Sequence, residues 1–95
     1  METKKYIFRG DRSGVFYGEI AERNGQEVTI KNCRRLWYWN GAASLSELAL
    51  TGTKKPNECK FTVTVPTLQI LDGIEIIPVS EAAQASIEGV SVWTA

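Results

Sequence analysis

The chain has 95 residues, equal numbers of basic and acidic side chains (11 of each) and no histidine. That length sets one domain, residues 1–95, with a modest core, for which association with further copies is a ready source of extra stability. Zero net charge argues against broad nucleic-acid binding, which needs basic excess, and the lack of an apolar run of about 18 residues argues against a membrane span.

"KKYIF" (4–8) has the β-branched and aromatic content of a strand. "RGDRSG" (9–14) reads as a loop, because it combines two glycines with aspartate and serine. In "VFYGEIAER" (15–23), Val15, Tyr17 and Glu19 share one strand face and Phe16, Gly18 and Ile20 the other, with a bulge or bend expected at Gly18. Asn24-Gly25 predicts a type I′ hairpin turn, since both residues tolerate positive φ. "QEVTIKNCRRLWYW" (26–39) is the return strand, with a bend or bulge expected at Asn32.

"ASLSELALTG" (43–52) changes to helical period. Ser44 and Glu47 make a capping box, Leu45, Leu48 and Ala49 an apolar stripe, and Gly52 a C-terminal cap. "TKKPNE" (53–58) is a polar loop, and its lysines Lys54 and Lys55, with Lys60, are expected to be solvated. "CKFTVTV" (59–65) alternates as a strand with Phe61, Val63 and Val65 inward, and Pro66 ends it or marks a sheet edge. "LQILDGIEIIPV" (68–79) holds one or two strands around Asp72-Gly73, and "SEAAQASIEG" (80–89) a second short helix with Ser80 as N-cap. "VSVWTA" (90–95) is a terminal extension that adds a strand or docks Trp93. The predicted fold is mainly β (α+β): a small, strongly bent antiparallel sheet or barrel with two short helices outside it.

The N-terminus is polar and lacks the apolar core of a secretion signal, so a cytoplasmic location is expected. In that reducing compartment Cys33 and Cys59 are expected to be buried thiols. Two cysteines without histidine fall short of the roughly four ligands of a zinc site, and no cofactor is predicted.

Nothing in the chain has the spacing of a catalytic centre. Histidine, the usual base near neutral pH, is absent. The eleven carboxylates are scattered. Ser13 is not in a nucleophile elbow, and "RGDRSG" has too few glycines for a phosphate loop. "RGD" (9–11) reads as a polar turn rather than an adhesion signal. The expectation is a protein that is not an enzyme.

The densest stretch is "CRRLWYWNG" (33–41). Strand alternation puts Arg34, Leu36 and Tyr38 on one side and Arg35, Trp37 and Trp39 on the other. So small a domain is expected to bury only one of those faces. Exposed aromatics beside arginine serve either as a subunit interface or as a platform where bases stack and guanidinium meets phosphate. Arg9 and Arg12 flank a glycine-containing loop, whose arginine forks and backbone N–H groups also suit phosphate. The candidate ligand-binding residues are therefore Arg9, Arg12, Arg34, Arg35, Trp37, Tyr38 and Trp39. Cys33, beside Arg34 and Arg35, is either a thiol of lowered pKa or, as expected here, a buried inert one.

"RGDRSGVFYGEIAERNGQEVTIKNCRRLWYWNGAASLSELALTG" followed by "CKFTVTV" resembles a family of small phage and prophage proteins classed as a domain of unknown function. The resemblance covers nearly the whole chain and implies a viral or prophage origin, hence the host-cell cytoplasm. It transfers no catalytic or binding residue. "GVFYGEIAERNGQEVTIKNCRRLW" is also similar to the opening of Sm-like and Hfq-like barrels, over about a quarter of the chain. The helix that precedes the first strand in those proteins is missing here, and a helix is inserted after residue 43. That likeness implies a bent small barrel able to assemble into a ring.

Three functional expectations follow. The first is a non-enzymatic phage accessory protein, homo-oligomeric, that sequesters a nucleotide signal as a counter-defence sponge. The second is a structural or protein-interaction component whose aromatics bind its own copies or a host protein. The third, weakened by the zero net charge, is a single-stranded RNA- or DNA-binding ring.

Overall fold

The computed structural model describes residues 4–94. Ala95, at the end of the predicted terminal extension, lies outside the described residues. Five strands, β1 (Tyr6–Gly10), β2 (Val15–Asn24), β3 (Glu27–Tyr38), β4 (Lys60–Ile70) and β5 (Gly73–Pro78), form one antiparallel sheet in the order β4-β3-β2-β1-β5. Helix α1 (Leu45–Thr51) and helix α2 (Glu81–Glu88) pack on one face, and a single 3-10 turn spans Pro56–Glu58. None of the helices among the described residues is long and apolar enough to cross a membrane.

β4 and β5 are the two outer strands, yet only Leu71 and Asp72 separate them in the chain. So short a link forces the sheet to curl until its edges approach, although the sheet is not closed. Bulges supply the bending. The β2–β3 register slips between Tyr17 and Glu19, as the glycine predicted. A Cβ on Gly18 would stand 2.7 Å from Ile30 Cγ2 and 2.8 Å from the Lys31 carbonyl oxygen, so only glycine lets the strands approach. Asn32 takes φ 50°, the one positive φ at a non-glycine among the described residues. The hairpin turn sits one residue later than expected: Asn24 pairs with Glu27, leaving Gly25 and Gln26 at the tip. Gly25 alone has positive φ (62°), the pattern of a type II′ rather than a type I′ turn.

The helix caps form as predicted. Ser44 Oγ accepts from the Glu47 N–H (3.2 Å), and the Glu47 carboxylate returns to the Ala43 N–H (3.1 Å). Gly52 closes α1 with φ 77°, and Ser80 Oγ caps α2 through the Ala83 N–H (3.1 Å).

Curling gives two cores. The first lies between the sheet and the helices and holds Ile7, Tyr17, Leu36, Leu48, Phe61 and Ile87. The second, with no helical residue, is wrapped by the strands and holds Phe8, Phe16, Val28, Ile30, Cys33 and Ile70. β3 thus feeds both cores with different stretches: beyond Cys33 one face is buried and the other largely open, as expected, with Arg34 and Leu36 inside, Arg35 half-buried and Trp37 exposed. Its Arg34 and Leu36 point to the helices, while Val28, Ile30 and Cys33 point into the curl. The Asn32 kink makes this possible, because it shifts the inward side from even to odd positions.

Val63 departs from its predicted inward position and is exposed. Leu36 pairs with Phe61 but Arg34 with Thr64, so β4 carries an extra residue there and its alternation breaks. Pro66 stands inside β4 without ending it, which suits an edge strand. The C-terminal segment docks: Val92 bridges to Phe61, the Trp93 N–H donates to the Phe61 carbonyl (2.9 Å), and the Trp93 indole stacks on Trp37.

Candidate functional site

The loop between β1 and β2 is built by a residue far away in sequence. The Asp72 carboxylate accepts hydrogen bonds from the Arg12 N–H (2.7 Å), the Ser13 N–H (3.0 Å) and the Ser13 hydroxyl (2.6 Å), and the Asp72 carbonyl accepts from the Asp11 N–H (2.9 Å). The Ser13 carbonyl in turn accepts from Arg35 Nη1 (2.6 Å). The Arg35 guanidinium lies over the Phe16 ring, 4.4 Å from its centroid. Asp72 thereby fixes the loop, and the loop, with Phe16, fixes Arg35.

Two cavities flank this junction. One of about 480 Å³ has an apolar wall of Phe16, Leu68, Ile70 and Leu71. One of about 220 Å³ is walled by Val15, Leu36, Trp37 and Trp39. Arg12, Ser13 and Arg35 line both. Among the described residues no carboxylate forms an ion pair with either guanidinium. The Trp37 ring stands alongside that of Trp93, with centroids 6.5 Å apart and planes 8° from parallel, and stays largely exposed. Lys60 Nζ sits 5.5 Å from the Trp93 ring.

Of the seven predicted residues, Arg12, Arg35, Trp37 and Trp39 come together here. The other three stand elsewhere. Arg9 pairs with Glu75 of β5 at 3.8 Å. Tyr38 is exposed and lines neither cavity. Arg34 is buried on the helix side, where its guanidinium donates to the carbonyls of Thr62 (2.8 Å), Ile87 (2.8 Å) and Val90 (2.6 Å), with a longer contact to Phe61 (3.4 Å). Burial pushes its pKa down. Arg34 ties the end of α2 to β4, which makes it structural. Sequence reasoning missed Phe16, Leu68, Leu71 and Asp72. Asp72-Gly73 was legible as a turn, but nothing near residue 72 signals that its carboxylate organises residues 11–13.

A third cavity, of about 260 Å³, is lined by Lys5, Tyr17, Asn32, Arg34, Thr64 and Glu88. Its polar groups already satisfy one another. Lys5 pairs with Glu19 (3.3 Å) and Glu88 (3.7 Å), Asn32 donates to Glu19 (3.0 Å), and the Tyr17 hydroxyl donates to Glu88 (2.5 Å). Burial, and then Glu88, push the Tyr17 pKa up, so the phenol remains a donor. No cation there is free to meet an anionic ligand, which favours the Arg12–Arg35 junction as the site.

Cys33 and Cys59 are both buried free thiols on opposite sides of the sheet. Burial raises the Cys33 pKa to about 11, with Arg35 opposing, so the thiol is protonated and inert at neutral pH. Among the described residues no group of three or more Cys, Asp or Glu side chains is placed to hold a metal ion.

The Asp72 carboxylate is held below its usual pKa by the Ser13 hydroxyl, then by the Arg12 backbone. A group with a depressed folded pKa adds stability above its unfolded pKa of about 3.9 and loses it as pH falls through the folded value. Asp72→Asn is therefore expected to lower the melting temperature at pH 7 and to flatten its fall below about pH 4. Thermal melts from pH 2.5 to 7 check this; parallel curves for the two proteins would contradict it.

The chain belongs to the family described as domain of unknown function (DUF6948), whose model matches residues 3–87. No curated protein and no solved structure shows significant similarity to it.

Proposed function

We propose that this chain is a non-enzymatic binding protein of phage or prophage origin that sequesters a nucleotide in the cleft at Arg12 and Arg35. One observation carries the reading: Arg12 and Arg35, neither in an ion pair with a carboxylate among the described residues, line both of two adjoining cavities, one with an aliphatic wall and one with Trp37 and Trp39 in its wall. Phosphate suits the forks, and flat bases suit the walls. The larger cavity, about 480 Å³, falls within the roughly 300–1,000 Å³ range of small-molecule sites. The phage origin and the counter-defence role rest on the resemblance of the "RRLWYWNGAASLSELA" segment to phage proteins. A thermal-shift panel of linear and cyclic nucleotides tests the reading. At least one is expected to raise the melting temperature of the native chain and not that of Arg35→Ala. A panel without a shift would overturn it.

A second reading is favoured by the exposed aromatics. Trp37 is 62% exposed and Tyr38 50%, and both flank a strand end where Trp93 is also partly open. Tryptophan and tyrosine in such positions suit an interface with a second copy or a host protein. Light scattering after size-exclusion chromatography separates the readings: Trp37→Ala would reduce the assembly if these rings hold copies together.

A further inference from the structure

We propose that the ligand of this cleft is a dinucleotide, with its phosphodiester at Arg12 and Arg35 and one base in each flanking cavity. This rests on the nucleotide reading above and narrows it by shape and by charge.

The shape is that of two lobes about a polar junction. Arg12, Ser13 and Arg35 are shared by both cavities, whereas the apolar walls are separate. A ligand with one phosphate and one base fills a single lobe. A ligand with a base on each side of its phosphate fills both. The smaller lobe, about 220 Å³, is below the usual size of a whole small-molecule site, which suits part of a ligand. Its wall contains Trp37 and Trp39, and Trp37 is held by its parallel contact with Trp93, which is not part of the wall. Such a ring offers a base a supported stacking surface. The larger lobe offers Leu68 and Leu71, while Phe16 lies fully buried beneath the Arg35 guanidinium.

The charge points the same way. Asp72 lines the larger lobe and lies against the arginine loop. Two guanidinium cations and this one carboxylate leave a single net positive charge at the junction. A phosphodiester brings one negative charge per phosphate. A terminal phosphate brings about −1.5 to −2, and a triphosphate more. The diester matches the junction better, and its two substituents lead away to the two lobes.

Calorimetric titration of the full chain tests this, using mononucleotides of the four common bases with the corresponding linear dinucleoside monophosphates and cyclic dinucleotides. At least one dinucleotide is expected to bind tenfold or more tighter than the mononucleotides of its own bases. Trp37→Ala should lower that affinity about tenfold, the loss of one stacked base. Leu71→Asp should do the same from the other lobe. Leu71 is 67% exposed and Trp37 62%, so neither change disturbs the core. Tight binding by the linear members, which carry one phosphodiester, supports the proposal; tight binding by cyclic members alone, which carry two, would overturn the one-diester assignment. Mononucleotides binding as tightly as dinucleotides would overturn it and leave the nucleotide reading standing. No binding by any member would overturn both.

Discussion

Arg34→Ala is expected to cost about 3–5 kcal/mol of folding stability, since hydrogen bonds from a charged group contribute about 1.5–3 kcal/mol each and several are lost together. Arg34 is only 4% exposed, and its guanidinium is held by backbone carbonyls instead of a carboxylate. Ile87 is in the last turn of α2 and Val90 stands just past its Gly89 cap, where carbonyls carry partial negative charge. The guanidinium satisfies them and lies 5.4 Å from the centroid of the Phe61 ring. Alanine would deprive the Thr62 and Val90 carbonyls of this donor, each costing about 1–3 kcal/mol if it stays dry, and would leave a void. At roughly 4–8 °C per kcal/mol, melting should fall by about 12–40 °C. Arg34→Met restores volume but not donors, so it should recover only part of the loss. Chemical denaturation of the three proteins checks this order. An alanine variant within about 1 kcal/mol of the parent would mean that water replaces the guanidinium.

The next residue should behave in the opposite way. Arg35→Ala is expected to weaken nucleotide binding by about 10- to 150-fold, the equivalent of the roughly 1.5–3 kcal/mol of a charge-assisted hydrogen bond. It should cost only about 1–2 kcal/mol of stability, since the side chain is partly solvated and contributes one bond to Ser13 and its stack on Phe16. Arg35→Lys keeps the charge but loses the planar fork, and should restore stability more than affinity. Paired melts and titrations separate the two effects. Equal loss of affinity in Arg34→Met, at a temperature where that variant is folded, would contradict the assignment of roles.

These adjacent arginines show what the sequence discloses and where it stops. Alternation correctly put Arg34 with Leu36 and Arg35 with Trp37 on opposite faces, and the capping box, Gly18 bulge and helix ends were legible because each depends on residues within a few positions. Which arginine faces the cleft depends on partners 53 and 56 residues away for Arg34, and 22 away for Arg35. No local pattern encodes that. The same holds for Asp72, whose contacts span about 60 residues. Val63 was misplaced because one extra residue in β4 shifts the period, and β-branched alternation reads the same with or without it. The second core went unforeseen because it needs the sheet to wrap around residues of its own, driven by the two-residue link between its outer strands.

Native mass spectrometry of freshly purified protein, with and without added dinucleotide, tests the central claim most directly. The account predicts a noncovalent adduct of nucleotide mass on the native chain, carried over from the cell or formed on addition, and its loss in Arg35→Ala. The bare mass in every sample, at nucleotide concentrations far above the protein, would contradict it and leave the exposed tryptophans as a surface for protein partners.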